Sequence, residues 1–234
     1  EPSDDTARLS NFFKKIRSEL LQQTSTDLKA KRQIITHDFY DVDYLLSHQS
    51  SNKAVGENLY SLKRSGCISV LVMPDRHSNG HVSPCGSIRL AQPIDHLASV
   101  AKDLLFEQVD TRAVFHRVAN MVICQRHAFA STVDANRLIE HCRRHQMRLV
   151  YDLDDDLINI PNNHPEATYL RNLAPVVTRL LEAADTVWVS TPALASRLAN
   201  YRSDVIVIPN AHDDRLWKAP HPIQSGNTLR IVYM

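Results

Sequence analysis

The chain has 234 residues, of which 43% are hydrophobic. This is enough for one well-filled domain of about 150 to 200 residues plus an extension. Its 27 Lys and Arg residues against 26 Asp and Glu residues give a net charge of +1, so the sequence predicts no broad attraction for nucleic acid or anionic lipid. No apolar run approaches the roughly 18 residues that span a bilayer. The four cysteines lack CxxC spacing, which favours a reducing cytoplasm over a zinc knuckle or a disulfide framework.

Residues 1–66 predict a helical extension. Apolar residues recur there at helical spacing, and Lys14, Lys15 and Arg17 occupy the other face; the apolar residues are Leu9, Phe12, Phe13, Ile16, Leu20 and Leu21. We expect an amphipathic helix that docks on protein. Peripheral contact with a membrane surface is the alternative that the sequence leaves open.

From Cys67 onward, short apolar runs alternate with helical patterns. The runs predict strands at Ile68–Met73, Met121–Gln125, Arg148–Leu153, Thr186–Val189 and 204–208, and the patterns predict helices at 133–146, 170–184 and 192–201. Continuous rather than alternating apolar residues indicate strands covered on both faces, as in a parallel sheet between helix layers. The sequence therefore predicts a doubly wound, Rossmann-like α/β domain over residues 67–228. It contains no GxGxxG motif, so no dinucleotide site is expected there.

Polar residues follow each predicted strand. In open parallel sheets, ligands bind beyond the carboxyl ends of the strands, so these residues are the candidates for a site. They are Asp75, Arg76 and His77; Arg126 and His127; Asp154, Asp155 and Asp156; Ser190 and Thr191; and Asn210.

The acidic run Asp152 to Asp156 is the most specific feature. Two carboxylates about 5 Å apart at an effective dielectric near 20 repel by roughly 3 kcal/mol, so the run needs solvent, cations or shared protons. Strand alternation predicts Asp152 and Asp154 on one face and Asp155 pointing away, with Asp156 capping the next turn. A phosphatase of the haloacid-dehalogenase type is excluded, because its Asp-x-Asp-x-Thr motif needs Thr at the fifth position, where this sequence has Asp156. An Asp-x-Asp metal site of a GT-A-type transferase and a solvated acidic loop both stay open.

Two histidine pairs have i,i+4 spacing, His77 with His81 and His141 with His145. Zinc needs a third ligand, and the sequence offers neither HExxH nor paired cysteines, so we expect surface histidines and no metal site. The basic stretch from His141 to Arg148 suits the end of a helix.

Several motifs, in order, resemble the N-terminal half of bacterial group 1 glycosyltransferases with the GT-B fold. The likeness covers about residues 68–234. Its motifs are Val-Tyr-Asp-Leu-Asp-Asp-Asp-Leu at 150–157, Asn-His-Pro at 163–165, Leu-Glu-Ala-Ala-Asp-Thr-Val-Trp-Val-Ser-Thr-Pro-Ala-Leu at 181–194, Val-Ile-Pro-Asn at 207–210 and Trp217, with Ser-Ile-Arg-Leu at 87–90, Pro93 and 121–126 as the earlier strand-end loops.

This resemblance implies an enzyme of cell-surface polysaccharide synthesis that moves a sugar from a nucleotide-sugar donor to a glycan or lipid-linked acceptor, without a bound metal or other cofactor. In that family the first domain holds the acceptor and the second holds most of the donor. Residues 229–234 look like the opening strand of the second domain, so we expect a piece of a longer protein that lacks transfer activity alone. The expected location is the cytoplasm, and the inner face of the membrane is the alternative site of action.

The resemblance also implies roles for individual residues. Asp154 and Asp155 are the catalytic candidates, and one of them would accept the hydrogen bond or proton of the acceptor hydroxyl. The implied acceptor-binding residues are Arg89, Arg126, His164, Ser190, Thr191 and Asn210, of which the two arginines would hold an anionic acceptor. The alternatives are a metal-dependent Asp-x-Asp transferase and a non-catalytic Rossmann-like interaction module.

Overall fold

The computed structural model describes residues 59–64 and 66–210, together with Asn11, Lys14, Lys15 and Ser18. These four residues are helical and exposed, and the rest of the predicted N-terminal amphipathic helix lies outside the described residues, as do Trp217 and residues 229–234. Within the described part of the chain, no helix combines the length and the apolar character that crossing a membrane requires.

The described residues form eight strands, six of which make up one sheet in which every neighbouring pair is parallel. The strands are β1 (Tyr60–Ser61), β2 (Ile68–Met73), β3 (Leu104–Gln108), β4 (Arg117–Val118), β5 (Met121–Gln125), β6 (Arg148–Leu153), β7 (Thr186–Val189) and β8 (Val205–Val207). The order across the large sheet is β3-β2-β5-β6-β7-β8, while β1 and β4 form a separate parallel pair. The chain thus has a Rossmann-like α/β fold with interleaved helices.

Helices lie between the strands along the chain. Helix α1 runs through an α-helical turn Pro84–Gly86, a π-helical stretch Ser87–Ala91 and an α-helix Gln92–Val100; α2 is Thr132–Arg144, α3 is Ala167–Ala183 and α4 is Pro192–Leu198, with a 3-10 turn at Ala113–His116. Ser131 caps α2 and Thr191 caps α4 through their side-chain oxygens.

The sheet is buried and mostly apolar on both faces, which explains the continuous apolar runs in the sequence. Leu149, Tyr151 and Leu153 of β6 face the cluster formed with α2, α3 and α4. The alternate residue Val150 faces the cluster formed with α1. Because successive side chains point to opposite faces, a strand covered on both sides has no place for solvated residues.

The structure confirms the predicted bounds of β2, β5, β6 and β7 and shortens the last predicted strand to Val205–Val207. The predicted helices are present, with ends displaced by up to three residues; Pro175 lies inside α3. Strand β3 was not predicted, because this edge strand mixes apolar residues with Glu107 and Gln108 and is only partly buried.

Helix α1 corrects one prediction from the resemblance. The stretch 87–90 was expected in a strand-end loop, but it forms the π-helical part of α1. The N–H of Gln92 donates to the carbonyl of Ser87, five residues earlier. Pro93 has no N–H for the carbonyl of Arg89, and the wider turn accommodates its ring.

Gly86 allows α1 to begin directly against the loop that follows β2. A Cβ atom at this position would lie 2.5 Å from the carbonyl oxygen of Asp75 and 2.9 Å from Cγ1 of Val82. The first of these neighbours is backbone, so it cannot turn aside as a flexible side chain could. A glycine is therefore needed here for close approach.

The substitution Gly86→Ala is expected to destabilise the protein by about 1–3 kcal/mol, because the added methyl group overpacks this contact. Urea unfolding followed by circular dichroism measures the change. Ser99→Ala, an alanine replacement at an exposed position of the same helix, is the control and should leave the midpoint nearly unchanged. Equal midpoints for both variants would show that the loop yields without cost.

Candidate functional site at the carboxyl edge of the sheet

Asp152, at the end of β6, is a carboxylate with no solvent exposure. Arg89 of α1 compensates it: Nε donates to Oδ2 at 2.9 Å, and Nη2 donates to Oδ1. Burial alone would lower the pKa of Arg89, but the hydrogen bonds and charge of Asp152 outweigh it and raise the pKa above the usual arginine value. The guanidinium therefore stays charged inside the fold.

Arg89 also ties β6 to the end of β8. Its Nη1 donates to the carbonyl oxygen of Ile208 at 3.0 Å and to Oδ1 of Asn210 at 2.8 Å. All three guanidinium nitrogens thus donate within the fold, and the side chain is 3% exposed. The structure brings the predicted site residues Arg89 and Asn210 together, in an arrangement that braces the sheet.

Arg126, directly after β5, has the left-handed φ of 49°. Its N–H donates to the carbonyl oxygen of Asp152 at 2.9 Å, and its own carbonyl oxygen accepts a hydrogen bond from the Tyr151 hydroxyl at 2.7 Å. These bonds hold a conformation that costs about 1–2 kcal/mol for an L-residue other than glycine. Backbone strain of this kind occurs often at functional sites.

The Arg126 guanidinium joins the two predicted catalytic aspartates. Its Nη1 lies 2.6 Å from Oδ1 of Asp154 and 2.6 Å from Oδ2 of Asp155. Burial opposes the charge of Arg126, but these two carboxylates outweigh it and raise its pKa. The expectation that Asp155 points away is wrong: β6 ends at Leu153, so strand alternation no longer applies two residues later.

The two aspartates differ in their access to solvent. The Asp154 side chain is 8% exposed and the Asp155 side chain is 62% exposed. Asp156 accepts backbone N–H bonds from Ile158 and Asn159, so it caps the following turn as predicted. Of the three adjacent carboxylates, Asp155 is therefore the one that a ligand reaches most easily.

Asp75 and His127 extend this edge. The Ser83 hydroxyl donates to Oδ2 of Asp75 at 2.6 Å, and Nε of Arg126 lies 3.9 Å from the same oxygen. Nε2 of His127 lies 4.0 Å from Oδ1 of Asp75, and its ring meets the Tyr169 ring edge-on at 6.1 Å. Burial lowers the pKa of His127, which favours the neutral imidazole at pH 7.

Cys85 of α1 closes the cluster, with Sγ 3.8 Å from Nη1 of Arg126. Burial and the neighbouring Asp154 raise its pKa to about 11. Near neutral pH the residue is therefore a thiol and a poor nucleophile.

The remaining predicted site residues have local contacts. Ser190 is buried, and its hydroxyl donates to the carbonyl oxygen of Asp154 at 2.8 Å. Thr191 caps α4. His164 lies in the exposed loop before α3, where Nδ1 accepts the N–H of Glu166 at 3.1 Å. Only Ser190 of these three contacts the acidic run directly.

The Asp-x-Asp pair faces arginines. Asp152 is bound by Arg89 and Asp154 by Arg126, so the positive charge that a metal would supply to these carboxylates is already present. Across residues 59–64 and 66–210, no three His, Cys, Asp or Glu side chains form a group that could hold a metal ion. Of the histidine pairs, His141 of α2 and His145, the residue after α2, have tilted rings with centroids 4.7 Å apart.

Compared with known proteins, the chain matches no protein-family model and no curated protein. Any function of this chain must therefore be inferred from the geometry of the site and from the sequence motifs.

Asp75 and His127 carried a signal in the sequence, since each lies two residues after the end of a predicted strand. Nothing in the sequence indicated that Cys85 lies at this site, because helix α1 was not predicted. The pairing of Arg89 with Asp152 was equally hidden, since the two residues are 63 positions apart.

Breaking the buried ion pair is expected to be costly. Arg89→Leu or Asp152→Leu should each destabilise the protein by about 3–5 kcal/mol, because each leaves an uncompensated buried charge. The double variant should lose much less than the sum. Urea unfolding of all three gives the coupling energy, and Arg197→Leu, at the exposed pair with Asp156, should cost under about 1 kcal/mol. Strict additivity would contradict the pairing.

The burial of His127 is expected to make the stability of the protein depend on pH. Its folded-state pKa is lowered, so below the unfolded value of about 6.5 the unfolded chain binds a proton that the folded chain binds less readily, and stability falls as pH falls. Asp75, Arg126, Asp154 and Glu166 influence the same ring. The loss of unfolding free energy between pH 7.5 and 5.5 should be smaller in His127→Gln than in the wild type.

The control is His77→Gln, at an exposed position of the same sheet edge. It removes an imidazole that is not buried, so it controls for the loss of a histidine as such. The packing lost in His127→Gln lowers the stability of that variant by a similar amount at every pH, so the slopes with pH are compared rather than the absolute stabilities. A His127→Gln slope equal to that of the wild type would show that His127 titrates normally.

Proposed function

We propose that this edge is the acceptor side of a glycosyltransferase that moves a sugar from a nucleotide-sugar donor to a glycan or lipid-linked acceptor. The observation that carries the proposal is the exposed carboxylate of Asp155, fixed by Arg126 at the carboxyl edge of a parallel sheet. The resemblance to bacterial group 1 glycosyltransferases of cell-surface polysaccharide synthesis supports it. The GT-B architecture, with donor contacts mainly in a second domain, is part of the same proposal.

Asp155 is the catalytic residue of this proposal. Its Oδ2 is bound to Arg126, and among the described residues no donor is bonded to Oδ1. That oxygen can accept the hydrogen bond of an acceptor hydroxyl and, in an inverting reaction, its proton. The proton moves from the hydroxyl to the carboxylate as the hydroxyl oxygen bonds to the sugar carbon and the nucleoside diphosphate leaves with the bonding electron pair.

Asp154 and Arg126 are positioning residues. Asp154 is nearly buried and shares Nη1 of Arg126 with Asp155, so it fixes the guanidinium to which Asp155 is bound. Ser190 in turn donates to the Asp154 carbonyl oxygen. These contacts hold the Asp155 carboxylate in one place, which reduces the entropy lost in reaching the reactive geometry.

The charge of the edge favours a neutral hydroxyl at the reacting position. Two guanidiniums, Arg89 and Arg126, stand among the carboxylates of Asp75, Asp152, Asp154 and Asp155. An anionic group next to Asp155 would meet an excess of negative charge. The sugar hydroxyls of a glycan meet no such repulsion.

The test is sugar transfer by the intact gene product. Labelled nucleotide sugars are supplied with lipid and polysaccharide extracts of the native host as acceptors. Asp155→Asn should lower kcat about 10²–10⁴-fold, the usual contribution of a general base, with little change in the donor KM. Asp154→Asn should also lower the rate of transfer. A higher rate in Asp154→Glu, which keeps the carboxylate, than in Asp154→Asn would identify a positioning role.

Asp95→Asn is the matched control, since Asp95 is an exposed carboxylate on α1. It should transfer sugar at the wild-type rate. Unchanged transfer by Asp155→Asn would refute the proposed role and favour a non-catalytic interaction module. Loss of wild-type activity in EDTA, restored by Mn²⁺, would favour the metal-dependent alternative instead.

A further inference from the structure

A concave site that does not include Asp154 or Asp155 lies on the side of the sheet that α2 covers. A cavity of about 560 Å³ is bounded by the 3-10 turn after β3, the loop after β5 and the first half of α2. This volume falls in the range of small-molecule sites, about 300–1,000 Å³. The buried rings of Phe115 and Phe129 form its apolar floor, with centroids 6.3 Å apart.

The rim of this cavity is basic. Arg112, His116 and Arg137 line it, against the single carboxylate of Asp134, whose Oδ2 accepts the Ser131 hydroxyl at 2.7 Å. The Arg137 guanidinium carbon lies 4.0 Å from the centre of the Phe115 ring. Cations are held at aromatic faces in this way without neutralisation of their charge.

Both guanidiniums are available to a ligand. Within residues 59–64 and 66–210, neither the Arg112 nor the Arg137 side chain forms an ion pair. The guanidiniums of Arg89 and Arg126 are not available in this way, because each is already bound to carboxylates of the protein. The fold thus brings two guanidiniums that form no ion pair within these residues to one apolar-floored cavity, although the exposed carboxylate of Asp110 lies near enough to interact with the charge of Arg112.

We infer that this cavity binds a phosphate monoester carrying an apolar or aromatic group. Guanidiniums match phosphate oxygens with paired N–H donors. A phosphate monoester carries a charge of about −1.5 to −2 at pH 7. Two guanidiniums carry a charge of +2, so they balance a phosphate monoester more closely than a single carboxylate. The phenylalanine floor receives the apolar part of the ligand.

This inference does not rest on the proposed transfer reaction. The loop after β5 serves both places: Arg126 and His127 contact the carboxyl edge, while Ala128, Phe129 and Ala130 line the cavity. The residues that would hold the phosphate are therefore separate from Asp154 and Asp155. Failure of either proposal leaves the other standing.

The experiment is calorimetric titration of the 234-residue chain with phenyl phosphate, with inorganic phosphate and phenol as partial probes. We expect saturable binding of phenyl phosphate, stronger than that of either partial probe. The double variant Arg112→Gln/Arg137→Gln should weaken it at least tenfold. Ala130→Glu, which adds a carboxylate at an exposed position of the lining, should weaken it as well.

The matched control is Arg144→Gln. Arg144 is exposed and lies on the same helix as Arg137, seven residues or about 10 Å further along the axis, outside the cavity lining. It should bind phenyl phosphate as the wild type does. Thermal melting verifies that each variant is folded, which is expected because all the substituted side chains are exposed.

A second arm distinguishes a soluble ester from a lipid head group. Vesicles of phosphatidylcholine with 20 mol% phosphatidic acid are sedimented with the wild type, the double variant and the control. Vesicle binding that requires Arg112 and Arg137, without binding of phenyl phosphate, would support the inference with lipid as the source. Equal binding by the double variant and the control in both arms, or no binding of either probe, would overturn it.

Discussion

A charge buried near the carboxyl end of an interior strand of the sheet determines how this protein is put together. Asp152 has no access to water, and a carboxylate in that position is stable only with a partner of opposite charge and good hydrogen-bond geometry. Arg89 of α1 supplies both. Helix α1 packs on one face of the six-stranded sheet, and α2, α3 and α4 pack on the other. The close approach at Gly86 and the wide turn before Pro93 are the local deformations that accompany this placement of Arg89. The ion pair then extends to Ile208 and Asn210, so one side chain connects α1 with the segment that follows β8.

The two arginines of the carboxyl edge divide two tasks between them. Arg89 is enclosed, and its donors stabilise the sheet. Arg126 lies nearer the surface and holds Asp154 and Asp155, one nearly buried and one open to solvent. The same acidic run therefore contains a structural carboxylate, a supporting carboxylate and a reachable one. Their roles follow from exposure and partner rather than from residue type, because all three are aspartates.

The sheet could be predicted from sequence because its strands are buried on both faces and read as unbroken apolar runs, as in Met121–Gln125. Helix α1 could not, since Pro84, Gly86 and Pro93 interrupt the periodicity that identifies a helix, although Ser83 and Pro84 are good start signals. At the site, position after a strand found Arg126, Asp154 and Asp155. It could not show that Arg126 would meet both aspartates, 28 and 29 residues away, because such pairing depends on the order of strands in the sheet. The basic cavity was hidden for the same reason, since Arg112 and Arg137 come from elements that only tertiary structure brings together.

The left-handed backbone at Arg126 sets two requirements that conflict. The conformation at this position is easiest for glycine, and asparagine tolerates it better than most residues. Neither can neutralise a pair of adjacent carboxylates. A substitution of Arg126 by glycine or asparagine would relax the backbone but remove the charge that compensates Asp154 and Asp155. Arginine keeps that charge and keeps the backbone strain. Conformational ease and charge compensation therefore call for different residues at this position, and the arginine present supplies the second at the expense of the first.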